Sequence, residues 1–401
     1  MKKTLIALAA LGAMAGAAHA QSTVTLYGLL DANLNSTKTN QVIPAFAATP
    51  TTPATVSTIQ SVRRTNIDSG GLNGSRWGMR ISEDIGGGMA VVGNLESGVN
   101  IDTGSSGQGG LLFGRRANVG ISSTSFGTLV VGRNSSSYDD VSADHAMMGA
   151  TLFDPSNNNN GPSTAQATAT LANASFLLGN RGDGNTAWIG FNTRFNNSVK
   201  YTSPNFSGFS GSVMYAFGED KLITPAGSIK ASESVSANLK YANGPLLVSG
   251  GYQSEGGPRT ANTKPALQNA LLNVAYDFGV ARVGLGLNRA KFKDVAAPAF
   301  LNGGVVGGEF AKQNEVSLSV AVPLGATTLS AGIARSKGDT LGKSTGVGVQ
   351  ALYSLSKRST LYAGIASTKN YDRLAEAVRT TVPGSTVEKT TTYGLGLRHT
   401  F

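Results

Sequence analysis

From Val24 to the last residue, apolar and polar side chains alternate one by one through a series of segments, each about ten residues long. Val24, Leu26, Gly28, Leu30 and Ala32 fall on one face of the first segment, and Thr25, Tyr27, Asp31 and Asn33 on the other. Trp77, Met79 and Ile81 oppose Arg76, Arg80 and Ser82. Val316, Leu318, Val320 and Val322 oppose Glu315, Ser317 and Ser319. A period of two is that of a β-strand, whose successive side chains point to opposite faces. About ten residues is the length that a tilted strand needs to cross a bilayer.

The segments begin near residues 24, 75, 89, 113, 128, 197, 208, 233, 246, 269, 281, 313, 327, 345, 359 and 391, a count of about sixteen. Short turns such as Asn243-Gly244-Pro245, Pro323-Leu324-Gly325 and Ser356–Ser359 join them in pairs. Long polar stretches, among them Ser36–Gly74 and Asn134 to about Asn185, separate the pairs. Short turns at one end and long loops at the other characterise a transmembrane barrel. An even number of strands lets the first and last pair and close the sheet. About sixteen strands enclose a water-filled channel, whereas about eight are filled by their own side chains. The expected fold is therefore all-β, a transmembrane antiparallel β-barrel. A secreted β-sandwich also alternates, but nothing in that fold keeps charges off one face of every strand or ends the chain on a strand-terminal Phe401.

The N-terminus sets the compartment. Lys2 and Lys3 precede an apolar run from Leu5 to Ala18, and Ala18-His19-Ala20 offers small residues where a signal peptidase reads. Residues 1–20 are thus expected to be a signal peptide and residues 21–401 the barrel domain. No other stretch approaches the roughly 18 apolar residues of a spanning helix, so integral placement requires a closed barrel. The chain has no cysteine, and stability must come from hydrogen-bonded closure. The net charge of +10 falls to +8 once Lys2 and Lys3 are removed. These cations are scattered singly, without a basic run, which argues against a nucleic-acid partner.

Several motifs are spread in order along the whole mature chain: Val24-Thr-Leu-Tyr-Gly28, Ser75-Arg-Trp-Gly78, Glu83-Asp-Ile-Gly-Gly-Gly88, Leu95-Glu-Ser-Gly98, Phe113-Gly-Arg115, Val131-Gly-Arg133, Asn197-Ser-Val-Lys-Tyr-Thr-Ser-Pro204, Leu355-Ser-Lys-Arg358 and Leu397-Arg-His-Thr-Phe401. Together they resemble the general porins of Gram-negative outer membranes, in particular the betaproteobacterial branch. The resemblance implies a sixteen-stranded homotrimeric barrel whose long third loop folds into the pore. It also implies passive diffusion of small hydrophilic solutes and ions. The implied partners are outer-membrane lipids, lipopolysaccharide and the assembly machinery, which in this family reads a terminal aromatic such as Phe401.

Such porins face a ladder of arginines with acidic residues of the inward loop. By motif position the ladder falls on Arg76, Arg115 and Arg133, with Arg194 a further basic wall residue, and alternation adds Arg80. Strict counting from Val119 and Ile121 sends Arg116 inward and Arg115 outward, so regular pleating and the motif match disagree there; the motif favours Arg115. Asp139 and Asp140 are the expected carboxylates opposite. The loop also carries Asp144, Asp154 and the run Asn157–Asn160, and it lacks the Pro-Glu-Phe-Gly-Gly segment common in relatives. A fixed positive wall across from carboxylates gives a transverse field, and the excess of cations implies mild anion preference.

Catalysis has little to work with. Past the signal, the chain keeps only His145 and His399, neither beside a nucleophile in sequence. No cofactor or metal site is expected, and the protein is not expected to be an enzyme. A channel specific for anionic nutrients and a surface adhesin are the competing readings. The first needs a row of pore aromatics or a dense basic cluster, and the second needs its information in the outer loops.

Overall fold

The computed structural model describes residues 22–43, 57–156, 187–224, 227–257, 259, 264, 266–294, 309–373 and 386–401. The expected signal peptide and the run Asn157–Asn160 lie outside them. The described strands are β1 (Ser22–Ile43), β2 (Thr58–Ser69), β3 (Arg76–Gly86), β4 (Met89–Gly98), β5 (Arg116–Ser123), β6 (Gly127–Ser135), β7 (Arg194–Thr202), β8 (Phe209–Phe217), β9 (Leu222–Thr224), β10 (Gly227–Ile229), β11 (Glu233–Asn243), β12 (Leu246–Gly256), β13 (Ala266–Asp277), β14 (Arg282–Lys293), β15 (Glu309–Leu324), β16 (Thr327–Gly338), β17 (Gly342–Ser354), β18 (Ser359–Lys369) and β19 (Thr386–Thr400). Apart from β9 and β10, which form a hairpin of their own, all lie in one antiparallel sheet.

The sheet closes at β1. One side of this strand pairs with β19 from Leu29↔Thr400 to Val42↔Thr386. Its other side pairs with β3 along Ser22–Leu29 and with β2 along Ala32–Ile43. β2 and β3 are thus one position in the wall, interrupted at residues 70–75, and the sheet is a barrel of sixteen wall positions. Within the stretch Ser36–Gly74, expected as one long loop, the described residues 36–43 and 58–69 are instead paired strands. Their polar alternation is that of strands with no lipid on their outer side, so they lack the apolar face by which a spanning strand is recognised.

The wall is inside-out relative to a soluble protein. Outward residues such as Leu26 (64% exposed), Val119 (54%) and Leu395 (59%) stand free, while the inward Asn273, Gln350 and Thr392 are buried. Lipid-facing apolar residues and a polar interior are what a barrel demands. Aromatics collect beside the short turns, where the rings of Phe209 and Tyr241 and of Tyr276 and Phe278 lie tilted against each other at centroid distances of 4.5 and 4.7 Å. The last residue completes the seam: Phe401 N–H donates to Gly28 O and Gly28 N–H to Phe401 O, both at 3.0 Å. The Phe401 ring covers Gly28, occupying the space that a side chain there would need.

Candidate functional site

The break between β2 and β3 is built around one carboxylate. Asp31, fully buried on the inward face of β1, accepts backbone N–H groups from Gly71 (3.1 Å), Leu72 (2.8 Å) and Asn73 (2.8 Å) and the hydroxyl of Tyr362. An anion satisfied by several fixed donors holds a turn firmly. The turn in its place presents Gly74 O to Arg76 Nε at 3.0 Å.

Arg76, Arg80 and Tyr27 share the inward face, because Leu29↔Arg76, Tyr27↔Gly78 and Thr25↔Arg80 are cross-strand pairs opposite to the outward Leu26↔Met79 row. The Arg80 guanidinium lies over the Tyr27 ring, 4.2 Å from its centroid. Tyr27 donates its hydroxyl to Glu96 Oε2 at 2.9 Å, and Glu96 Oε1 accepts from Arg115 Nε at 2.7 Å. Arg115 thus turns its side chain toward the inward Glu96, and the regular pleat gives way there. Arg116 is the register partner of Glu96, yet the backbone N–H of Arg115 also bonds Glu96 O at 3.1 Å, so two residues of one strand meet one of the next. Such local doubling re-aims a side chain.

Arg133 departs from the expected row. It opposes Ala117 in register and has the parity of the exposed Leu129 and Val131. The β6–β7 register slips between Gly132 and Asn134, where Gly132 takes φ +125° and Asn197 φ +49°. At this bulge Arg133 donates from Nε to Gly114 O (2.7 Å) and from a terminal nitrogen to Asn196 Oδ1 (2.5 Å). With Arg194, Asn196 and Glu233 it lines a cavity of about 300 Å³ near the long-loop ends of the strands. A bulge shifts parity by one, which alternation counted from a neighbouring segment does not register.

The chain after β6 folds into the barrel and runs along its wall. Ser137 N–H donates to Ser236 Oγ (2.8 Å), Asn273 Nδ2 to Val141 O (2.7 Å), Met147 N–H to Ser319 Oγ (3.0 Å) and Leu152 N–H to Gly71 O (2.7 Å). On the way back Ile189 N–H bonds Glu315 Oε1 (2.7 Å) and Asn192 N–H bonds Glu255 Oε1 (2.6 Å). The loop therefore contacts β11, β13, β15 and the far turn at residue 71 in order. Beneath it several inward residues of the wall are glycines. Any side chain at Gly284 or Gly286 would overlap His145, at Gly348 or Gly364 it would overlap Phe153, and at Gly346 it would overlap Pro155. These glycines leave a trough in which the loop backbone approaches the sheet closely.

The loop acids divide. Asp140 Oδ2 pairs with Lys200 Nζ at 2.6 Å and accepts from Ser212 Oγ at 3.1 Å, and Asp144 Oδ1 pairs with Lys240 Nζ at 2.9 Å. Asp140, expected to face the arginines, instead fastens the loop to β7 and β8. Asp139 stays partly exposed. The protein packed around it pushes its carboxyl up to about 6, and Arg194 is the strongest opposing influence. His145 is stacked on Trp188 (5.2 Å, 18°) and burial lowers it to about 4, so it is neutral at pH 7.

Sequence reasoning missed Glu96 and the glycine trough, besides Asp31, Lys200 and Lys240. Glu96 binds both Tyr27 and Arg115, and its inward parity in Leu95-Glu-Ser-Gly98 was a usable signal. The glycine trough was missed because each glycine, taken alone, looks like an ordinary strand glycine; only register aligns them under one loop.

The comparisons with known proteins agree with this geometry. The model of the Gram-negative porin family matches residues 7–373. An outer-membrane porin protein of Bordetella pertussis is 30% identical over 428 aligned residues, covering all of both chains. Outer membrane porin protein 32 of Delftia acidovorans is 29% identical over 379 residues, covering 93% of this chain and 91% of that one. The anion-selective porin from Comamonas acidovorans superposes with a TM-score of 0.68 at 25% identity, over 95% of this chain and 100% of that one. A closed barrel with a polar interior and an inward loop, carried on a chain related to these over its whole length, is a member of the Gram-negative porin family of the outer membrane.

Proposed function

We propose that this outer-membrane diffusion channel is mildly anion-selective, and that Arg76, Arg80, Arg115 and Arg194 set the preference against Asp139, with Arg133 acting from the rim. One observation carries the reading. Among the described residues, Arg76, Arg80 and Arg194 have no carboxylate within 4 Å, whereas Asp140 and Asp144 are each paired with a lysine. The unpaired charge of the constriction is therefore positive. Arginines remain charged at any working pH and are held apart by strand spacing, so the field is permanent. The anion selectivity of the Comamonas relative supports the same sign. The protein performs no chemistry on its solutes in this reading. Its two described histidines are a neutral, buried His145 and an exposed His399 bonded to Ser359.

The functional unit is proposed to be a homotrimer. Leu30 and Val119 stand exposed on neighbouring parts of the wall, while Gly28 beside them is flattened under Phe401. Phe401 is proposed to be the signal read by the assembly machinery, and lipids and lipopolysaccharide to cover the rest of the outer face.

The test is the zero-current potential in a KCl gradient, measured on Arg76→Ser, Arg115→Ser and the double variant in trimers verified by heat-dependent gel mobility. Each change should move the potential toward cations while conductance stays level or rises, and the shift should shrink at 1 M salt, where the Debye length is about 3 Å. Unchanged potentials in all three variants would remove these arginines from the selectivity-determining region.

A further inference from the structure

Arg398 belongs to none of the groups described so far. Its strand β19 keeps strict alternation here: Tyr393, Leu395 and Leu397 are exposed outward, and Thr390 and Thr392 are buried inward, which gives Arg398 the inward face. It is the cross-strand partner of Asp31, two residues along β1 from the pair Leu29↔Arg76. At about 3.3 Å per residue this is a rise of roughly 7 Å, so Arg398 and Arg76 flank β1 at nearly the same depth. The far contact of the inward loop, Leu152 N–H on Gly71 O, lies at this depth as well.

The guanidinium is held without being neutralised. One terminal nitrogen donates to Asn73 Oδ1 at 2.9 Å and the other to Thr360 Oγ1 at 3.2 Å, both uncharged oxygens. Its Nε is buried with no partner among the described residues, and no carboxylate oxygen lies within 4 Å. Asp31, the nearest acid by register, has its carboxylate directed to Gly71, Leu72, Asn73 and Tyr362. The same short turn therefore orients two arginines, Arg76 through Gly74 O and Arg398 through Asn73 Oδ1, and Arg115 reaches toward Gly74 from the other side.

We propose that Arg398 is a selectivity-determining residue of this channel, a further fixed cation that extends the arginine wall across β1 onto β19. The inference rests on the arginine-wall reading given above. A guanidinium pinned by two neutral acceptors cannot swing to a distant acid, so its charge acts on whatever passes.

The experiment compares Arg398→Gln, Arg398→Lys and Arg76→Ser in the full channel, with trimers verified by heat-dependent gel mobility before each zero-current measurement in a KCl gradient. Arg398→Gln should move the potential toward cations by an amount comparable to Arg76→Ser, and Arg398→Lys should stay near wild type. Thr360→Asp places a carboxylate beside the intact guanidinium and should reproduce the Gln shift, which keeps the test decisive where the Gln variant fails to assemble. Equal shifts in the Gln and Lys variants would make Arg398 a prop for the turn and overturn the inference. A shift in Arg76→Ser with none in Arg398→Gln or Thr360→Asp would also overturn it, leaving the arginine wall intact. No shift in any variant would instead remove the arginine wall itself.

Discussion

Two walls face each other across this channel, and they are made differently. The wall built from β1, β3, β4 and β5 carries long charged side chains on its inner face, Arg76, Arg80 and the paired Glu96 and Arg115. The wall built from β12 to β18 carries glycine, serine and asparagine, over which the inward loop lies flat. The loop backbone needs close approach and inward acceptors for its N–H groups, Ser236, Ser319, Glu255 and Glu315 among them, so it takes the side with the smallest residues. The gap is left on the other side, where the charge is. In the proposed reading one asymmetry both narrows the pore and sets its sign: where the sequence keeps Cβ atoms off the inner face, the loop attaches, and solutes pass on the side that carries the arginines.

The largest effect is expected at the seam that joins the two walls. Removing Phe401 deletes two backbone hydrogen bonds to Gly28 and the ring that covers it. Assembled protein should fall far more than synthesis does, as read by outer-membrane yield against total chain. Gly28→Leu should produce a milder version, since a side chain there displaces the ring and overpacking costs about 1–3 kcal/mol. Normal yield from the truncated chain would mean that the seam closes without its last residue.

Next comes the turn on which both walls meet. Asp31→Ala leaves three backbone amides without their acceptor, each costing about 1–3 kcal/mol when buried. The variant should lose heat resistance of the barrel by circular dichroism. Asp31→Asn, which keeps an oxygen acceptor, should lose less. Equal stability in the two variants would mean that water replaces the carboxylate and that the turn does not depend on it.

How legible all this was follows from which interactions are local. Strand identity is local: Leu26, Leu30 and Leu34 alternate with Tyr27, Asp31 and Asn35 in the sequence itself, and the lipid enforces that pattern at every spanning strand. Hence the closed barrel of sixteen wall positions could be expected from alternation. The hairpin arms beyond the membrane could not, because with no lipid to face, Lys38–Ile43 and Thr58–Arg64 carry no apolar stripe. The site was half legible. Arg76 and Arg80 follow from parity in their own strand, but Arg115 and Arg133 each sit beside a register irregularity that reassigns their side. Asp140 lies far from Lys200 in sequence, and only the folded loop brings Lys200 within 2.6 Å of it.

The trough itself can be broken from below. Gly348→Leu places a side chain against the backbone carbonyl of Phe153, and Gly286→Leu places one in the His145 ring. Since the sheet cannot yield, the loop must, and it should shift toward the arginine wall. Single-channel conductance should fall in both variants while the barrel remains folded, at a stability cost of about 1–3 kcal/mol. Unchanged conductance would show that the loop stands clear of the glycines in the membrane.

The smallest effect sharpens the comparison through a partly exposed acid of the inward loop. The Asp139 carboxyl is raised to about 6 by the protein packed around it, with Arg194 as the main opposing influence and Asp140, Lys200 and Arg115 as the other charges that bear on it. Above this value Asp139 is ionised and offsets part of the positive wall; below it the acid is neutral and the offset is gone. Lowering the pH from 7 to 5 should therefore raise anion preference, with a midpoint near 6. His145 stays neutral through this range because burial holds it at about 4. Burial also raises Asp154 to about 6, but it is buried within the loop and bonded to Ser156, so its proton changes loop packing more than the pore field. Asp139→Asn separates the two: it should show the high anion preference at pH 7 and lose most of the pH dependence, whereas Asp154→Asn should keep it. A full pH response in Asp139→Asn would assign the titration to another group and leave Asp139 without a share in the selectivity of the arginine-lined gap.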